Sequence, residues 1–265
     1  MALPIFRPED DPGPDFAALL SRSGTPVVAT GSLPVDDRHA TTVVALRFAG
    51  GVVMAGDRRA TAGHEIAKRD TEKVFPADRH SAIAISGSAG FGSEMVRLFQ
   101  VQLEHYEKVE GVSLSLEGKA NQLAQMVRAH LPLAFQGMVV VPLFCGFDQA
   151  RGQGRIFDYD PTGGRYEEQD FSATGSGSRY ATQTVKLGYR EGQDETTAVE
   201  LAIEALFEAA DADSATGGPD LVRGIFPIVA VVDEAGYRQL PEAEVEERFL
   251  ALIERRRAER GGERS

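Results

Sequence analysis

The sequence predicts an α+β fold in four layers, with two antiparallel sheets sandwiched between helix pairs. Three observations carry this. Strand candidates come in blocks closed by tight-turn residues, helix candidates come in pairs between those blocks, and strands do not alternate singly with helices as a doubly wound parallel sheet requires. Along the chain the order is strands, two helices, strands, two helices, strands, with no internal repeat of fixed period.

Residues 1–40 stand apart as an extended leader. They hold Pro4, Pro8, Pro12, Pro14, Pro26 and Pro34, one short apolar segment at Phe16–Leu20, and a charge of −3 out of the chain's −12, leaving −9 for the remainder. The texture changes at Thr41. Thr42-Val43-Val44-Ala45-Leu46-Arg47-Phe48, the turn signal Gly50-Gly51 and Val52-Val53-Met54-Ala55 predict a hairpin. A second strand pair is expected from Glu65–Ile66 and His80–Ile85. Met95, Leu98, Phe99, Leu103 and Tyr106 recur at helical spacing, as do Leu123, Met126, Val127, His130 and Leu131, predicting two helices with one apolar face each. Strands follow at 138–147 and 154–159, with turn residues at Asp160–Gly164. A second helix pair is expected at 180–187 and 196–210, the latter striped by Val199, Ile203, Leu206, Phe207 and Ala210. A strand at 225–232 and a charged C-terminal helix close the body, and 257–265 is expected to be a disordered tail.

Of 265 residues, 42% are hydrophobic and 26% charged, an ordinary globular balance. The net charge of −12 argues against nucleic acid and against an anionic membrane surface as partners. No apolar run reaches the ~18 residues of a membrane span, and the acidic, proline-rich start is unlike a secretory signal. The single cysteine, Cys145, lies in an apolar run, where it reads as a small core residue rather than half of a disulfide or a zinc ligand. A cytoplasmic location is expected.

Most familiar chemistries are missing. Gly87-Ser88-Ala89-Gly90-Phe91-Gly92 has the wrong order for a dinucleotide loop, and there is no G-x-x-x-x-G-K-[ST] or G-x-S-x-G motif. His39, His64, His80, His105 and His130 show no metal-ligand spacing, so neither cofactor nor metal is expected. What remains is a polar leader that stops at Ala40 and a Thr41-Thr42 pair that opens the first strand. A threonine hydroxyl is a weak nucleophile until a base takes its proton. Cleavage before Thr41 would free an α-amino group with a pKa of ~8 to act as that base within the same residue. The pair is also ordinary strand-forming sequence. Downstream, Asp57-Arg58-Arg59 and Lys73 could set a cation beside the threonine, or form a surface ion pair worth less than ~1 kcal/mol. Gly87 could bring a backbone N–H to an oxyanion, or only make a strand-to-helix turn.

Together, Thr41–Leu46, Gly50–Arg59, Gly175-Ser176-Gly177-Ser178 and Asp213–Phe226 resemble the β-subunits of actinobacterial-type proteasome core particles, over about residues 40–256. The resemblance implies an N-terminal nucleophile hydrolase fold and a threonine-type endopeptidase made as a zymogen. Residues 1–40 would be a propeptide removed by autocatalysis, and 41–256 the catalytic body. The cut falls between Ala40 and Thr41. Thr41 is then the nucleophile, Asp57 and Lys73 the charged pair beside it, and Gly87 the oxyanion donor. Ser176 and Asp213 match the residues that hold the amine and a water, and Thr216, also matched to the catalytic set, stands where many relatives carry Ser, keeping the hydroxyl and adding a methyl. Ala60, Thr71, Phe75, Ile85, Ala89 and Ser93 match the pocket for the residue before the cut. None of these six is acidic, so large apolar residues are the expected preference. Ala40 departs from the family's usual Gly, which puts the speed of self-cleavage in question.

The resemblance further implies stacked rings of seven β-subunits, flanking rings of α-subunits, an ATPase unfoldase cap, and unfolded protein substrates tagged by a ubiquitin-like protein. Three alternatives stay open at this point. They are a silent ring subunit, which usually lacks one of Thr41, Asp57, Lys73, Ser176 or Asp213; a simpler two-ring relative with no long leader; and a small-molecule amidase of the same fold.

Overall fold

The computed structural model describes residues 41–62 and 65–262. Residues 1–40, with the cut expected after Ala40, lie outside the described residues.

Strands β1 (Thr42–Phe48) and β2 (Gly51–Gly56) form the expected hairpin, and both are buried on two faces. That explains their near-continuous apolar sequence. Val44, Leu46, Val53 and Ala55 point to one apolar layer, while Val43, Ala45, Val52 and Met54 point to another. With β10 (Phe171–Gly175), β11 (Ile228–Asp233) and β12 (Gly236–Gln239), they make a five-stranded antiparallel sheet in the order β10-β1-β2-β11-β12. The second sheet has the order β5-β6-β7-β8-β9, from β5 (Val74–Asp78), β6 (Ser81–Gly87), β7 (Val140–Asp148), β8 (Gln153–Tyr159) and β9 (Arg165–Glu168). A small hairpin pairs β3 (Ala60–Ala62) with β4 (Glu65–Lys68).

Helices α1 (Ala89–Glu110) and α2 (Leu116–Ala134) cover the second sheet through Met95, Phe99, Leu103, Leu123 and Val127. Helices α3 (Ser178–Gly188) and α4 (Glu195–Ala212) cover the first through Ala181, Val185, Ala202 and Leu206. Asp194 caps α4 by accepting from the Thr197 N–H, and Ser115 caps α2 in the same way from Gly118. The four-layer α+β sandwich expected from the sequence is therefore the architecture found.

Several elements differ from the expectation. Glu65–Ile66 pairs with β3, not with the strand at 80–85, whose partners are β5 and β7. Leu98 and Tyr106 are exposed, because only the narrower stripe of Met95, Phe99 and Leu103 reaches the sheet. The helix layer on the first sheet is not a pair: the C-terminal helix α5 (Glu242–Gly262) joins it through Val245, Phe249 and Leu252. That helix continues past 257, where a disordered tail was expected. Arg255 and Arg256 are held by Glu204, and Arg256 also by Glu208, so the last apolar turns are anchored to α4. Cys145 is fully buried on β7, where burial pushes its thiol pKa up. His130 packs on Phe91 and shares a 2.9 Å contact with the Met138 carbonyl, as a satisfied structural histidine. Among the described residues no helix is long and apolar enough to cross a membrane.

Candidate active site

Residues singled out in the sequence meet where the start of β1 and the end of β2 approach the start of β5 and the end of β6. Thr41 precedes β1 and is only 4% exposed. Its carbonyl accepts from the Ser176 N–H at 2.9 Å. This approach depends on Gly175, which has φ +103°; a Cβ there would meet the Thr41 carbonyl oxygen.

Asp57 follows β2 on one sheet and Lys73 precedes β5 on the other, yet Lys73 Nζ donates to Asp57 Oδ1 at 2.7 Å with both side chains buried. The solvated surface pair that the spacing also allowed is thus not what forms. Asp57 is fully provided with donors. Oδ1 also accepts from the Thr42 N–H at 2.8 Å, while Oδ2 accepts from the N–H groups of Arg59 at 3.0 Å and Gly217 at 2.8 Å. Lys73 donates further to the Arg59 carbonyl at 2.5 Å. Burial is the largest influence on Lys73 and lowers its pKa from 10.5. The Asp57 carboxylate pulls the other way without cancelling it.

The second group lies at the end of α4. Asp213 is the residue at that helix's C-cap, where the helix dipole disfavours an anion. Burial also pushes its carboxyl up, but donors outweigh both effects. Ser176 Oγ donates to Oδ2 at 2.5 Å and Thr216 Oγ1 to the same atom at 2.6 Å, with the Ala215 N–H on Oδ1, so its pKa falls below 3.8.

A cavity beside Thr41 is lined by Ala60, Thr71, Glu72, Lys73, Phe75, Ile85, Gly87, Ala89 and Ser93. All six residues expected to line a pocket are present. Ser93 turns its hydroxyl back to the Ala89 carbonyl, and Ala60, Phe75, Ile85 and Ala89 form the apolar part of a wall that Thr71, Glu72 and Lys73 complete. Gly87 ends β6 with φ +97°, and a Cβ there would sit 2.2 Å from the Val139 carbonyl oxygen.

Sequence reasoning missed four participants. Exposed Glu72 borders the cavity, so its rim is not free of acid. Gly217, beyond the end of α4 at Ala212, gives its N–H to Asp57. Arg59 acts through its backbone, and Thr42 joins both groups. Gly217 lies inside a quoted motif, but nothing local marks its N–H group. Among the described residues no His, Cys, Asp and Glu cluster could hold a metal ion.

Comparison with known proteins bears on the same stretch. The model for the family described as proteasome subunit matches residues 37–222. The chain belongs to the proteasome subunit family. A proteasome subunit beta of Acidimicrobium ferrooxidans is 61% identical across 100% of this chain and 97% of its own length. One of Streptomyces griseus is 55% identical across 87% of this chain and 82% of its own, and one of Acidothermus cellulolyticus 56% across 88% and 81%. Similarity at this level over nearly the whole chain makes it a proteolytic β-subunit of the proteasome core, and its chemistry peptide-bond hydrolysis. Asp57, Lys73, Ser176 and Asp213 all fall inside the matched stretch, as does Thr41.

Proposed function

We propose that the chain is a threonine-type endopeptidase, made as a zymogen, that frees Thr41 by cutting its own chain after Ala40. The observation that carries this reading is the buried Asp57–Lys73 pair, whose lysine lines the same cavity as Thr41.

In the precursor the Thr41 nitrogen is an amide and cannot serve as base. Lys73 is the group left to take the hydroxyl proton, and burial already disfavours its ammonium form. Thr41 Oγ1 then attacks the Ala40 carbonyl, the C–N bond breaks, and the amine leaves with a proton, giving an ester between Ala40 and Thr41. Water hydrolyses that ester and releases the leader as a carboxylate. In the mature chain the free α-amino group takes over as base, with Lys73 and Asp57 holding the local potential. Ser176, Asp213 and Thr216 orient the amine and the attacking water, and the Gly87 N–H faces the developing oxyanion. The cavity favours a large apolar residue before the scissile bond, and a peptide panel tests this. Arg-ending peptides cleaved fastest would assign the dominant role to Glu72.

On this reading, residues 1–40 are a propeptide, and the body works in the cytoplasm in stacked rings of seven β-subunits between α-subunit rings. An ATPase cap would feed it unfolded chains carrying a ubiquitin-like tag. Intact mass and N-terminal sequencing of the chain, purified with and without a co-expressed α-subunit, test the core of the proposal. A new N-terminus at Thr41 that arises on assembly is the expected result. A full-length chain inside a complete particle would overturn it.

A further inference from the structure

We propose that Thr42 is a positioning residue for the Thr41 reaction, coupling the Asp57–Lys73 pair through its backbone to the Asp213–Ser176 pair through its buried hydroxyl. This rests on the proposed role of Thr41.

The direction of every hydrogen in that chain follows from donor and acceptor inventories. An ionised Asp213 only accepts, so Ser176 Oγ and Thr216 Oγ1 both donate to its Oδ2. Thr216 has then used its one proton. The 2.6 Å contact between Thr216 Oγ1 and Thr42 Oγ1 therefore has Thr42 as donor. Thr42 Oγ1 in turn accepts the Gly177 N–H at 3.0 Å. Thr42 and Thr216 are both fully buried, so no solvent competes for these bonds. A Cβ at Gly177 would lie 2.4 Å from Thr42 Oγ1 and 2.5 Å from Thr216 Oγ1, so the backbone closes over the pair.

The backbone of Thr42 serves the other group. Its N–H donates to Asp57 Oδ1, the atom that also holds Lys73, and its carbonyl accepts the Asp57 N–H at 3.1 Å. The peptide joining Thr41 to Thr42 is thus clamped from both sides. The Ser176 N–H holds the Thr41 carbonyl, Asp57 holds the Thr42 N–H, and Thr216 holds the Thr42 side chain. Rotation of that peptide would swing the Thr41 amine and hydroxyl together, and displacement near 1 Å in a reacting group costs on the order of 100-fold in rate. A β-branched threonine suits the task because its χ1 is stiff.

The test uses the full chain co-expressed with its α-subunit, comparing wild type with Thr42→Val, Thr42→Ser and Thr42→Ala. Active sites are counted with a covalent label, and kcat per labelled site and KM are measured on a fluorogenic peptide. Thr42→Val is expected to lower kcat per labelled site about 10- to 100-fold with KM changed less than about 3-fold. Thr42→Ser should stay within about 3-fold of wild type, because it keeps the donor and acceptor. An unchanged kcat per site in Thr42→Val, or a Ser variant no better than Val, overturns the proposal. Should Thr42→Val not assemble, the Ser and Ala pair decides, since they differ by the hydroxyl alone; equal kcat in those two overturns it. If Ser assembles and neither Val nor Ala does, the hydroxyl is a folding requirement and the positioning role is overturned. Wild-type label located on Thr41 keeps the parent reading separate: its absence sinks that reading, whereas its presence with an indifferent Thr42→Val sinks only this one.

Discussion

Lys73 combines two demands that ordinarily conflict: a buried cation held by a carboxylate, and a group able to give up its proton. Desolvation outweighs Asp57 and brings its pKa below 10.5, so a larger share is neutral at mildly alkaline pH than for a lysine in water. Self-cleavage is therefore expected to speed up as pH rises from about 6.5 towards 9, followed by intact mass over time. Lys73→Arg keeps a cation for Asp57 but stays protonated throughout, and should leave the chain at full length. A normally processed Arg variant would remove Lys73 from the role of base. Asp213 has the opposite linkage. Its folded pKa lies below its unfolded value near 3.8, so its ionised form contributes stability that is complete above that value and lost as pH falls through the folded pKa. The gap in urea midpoint between wild type and Asp213→Asn should hold from pH 7 to about 5 and shrink below about 4. A gap that widens on acidification would contradict the donor count around Asp213.

At the scale of elements, the first turn of α1 shapes the cavity from behind. Gly92 is buried inside that helix, where glycine costs ~1 kcal/mol relative to alanine. A Cβ at 92 would lie 2.4 Å from Ile85 Cγ2, and Ile85 lines the cavity from β6. Gly92→Ala should therefore drive Ile85 into the open space. Cleavage after Leu or Phe is expected to fall about 10-fold in kcat/KM relative to cleavage after Ala, and Ile85→Val in the same chain should restore much of it. An unaltered peptide ranking would show that the two residues part some other way. This helix also shows what the sequence disclosed. Periodicity located α1 to α4, and β-branched runs located β1, β2, β7 and β8, because those elements bury whole faces. It missed the pairing of β4 with β3, and it gave no warning of β5, where Pro76 and Asp78 break the apolar run. The site residues were legible only as a constellation of motifs. Thr42 was not, since its partner Thr216 is 174 positions away and no local pattern reports so distant a hydrogen bond.

For the whole molecule, the site depends on the distance between two sheets. Asp57 hangs from the first and Lys73 from the second, so their ion pair ties the two sheets together. Spacing there is set by what fills the middle layer. Small residues Ala82, Ala84, Cys145 and Ala230 let the sheets approach, while Met54, Leu143 and Ile156 prop them apart. Leu143 on β7 is fully buried in that layer and lines no part of the cavity. Leu143→Ala should cost about 2–5 kcal/mol in a denaturant titration, as the transfer loss adds to an incompletely collapsed cavity. Leu143→Met keeps the volume and should cost less than ~1.5 kcal/mol. If the middle layer sets the site, Leu143→Ala particles that still assemble will lose kcat per labelled site by several-fold while KM holds, and the Met variant will match wild type. Interiors are close-packed and carry small displacements to their edges, which is why a residue remote from Thr41 should register in kcat. Equal kcat in all three chains, with stability lost as expected, would mean that the Asp57–Lys73 pair and its backbone donors hold the active edge independently of the core behind it.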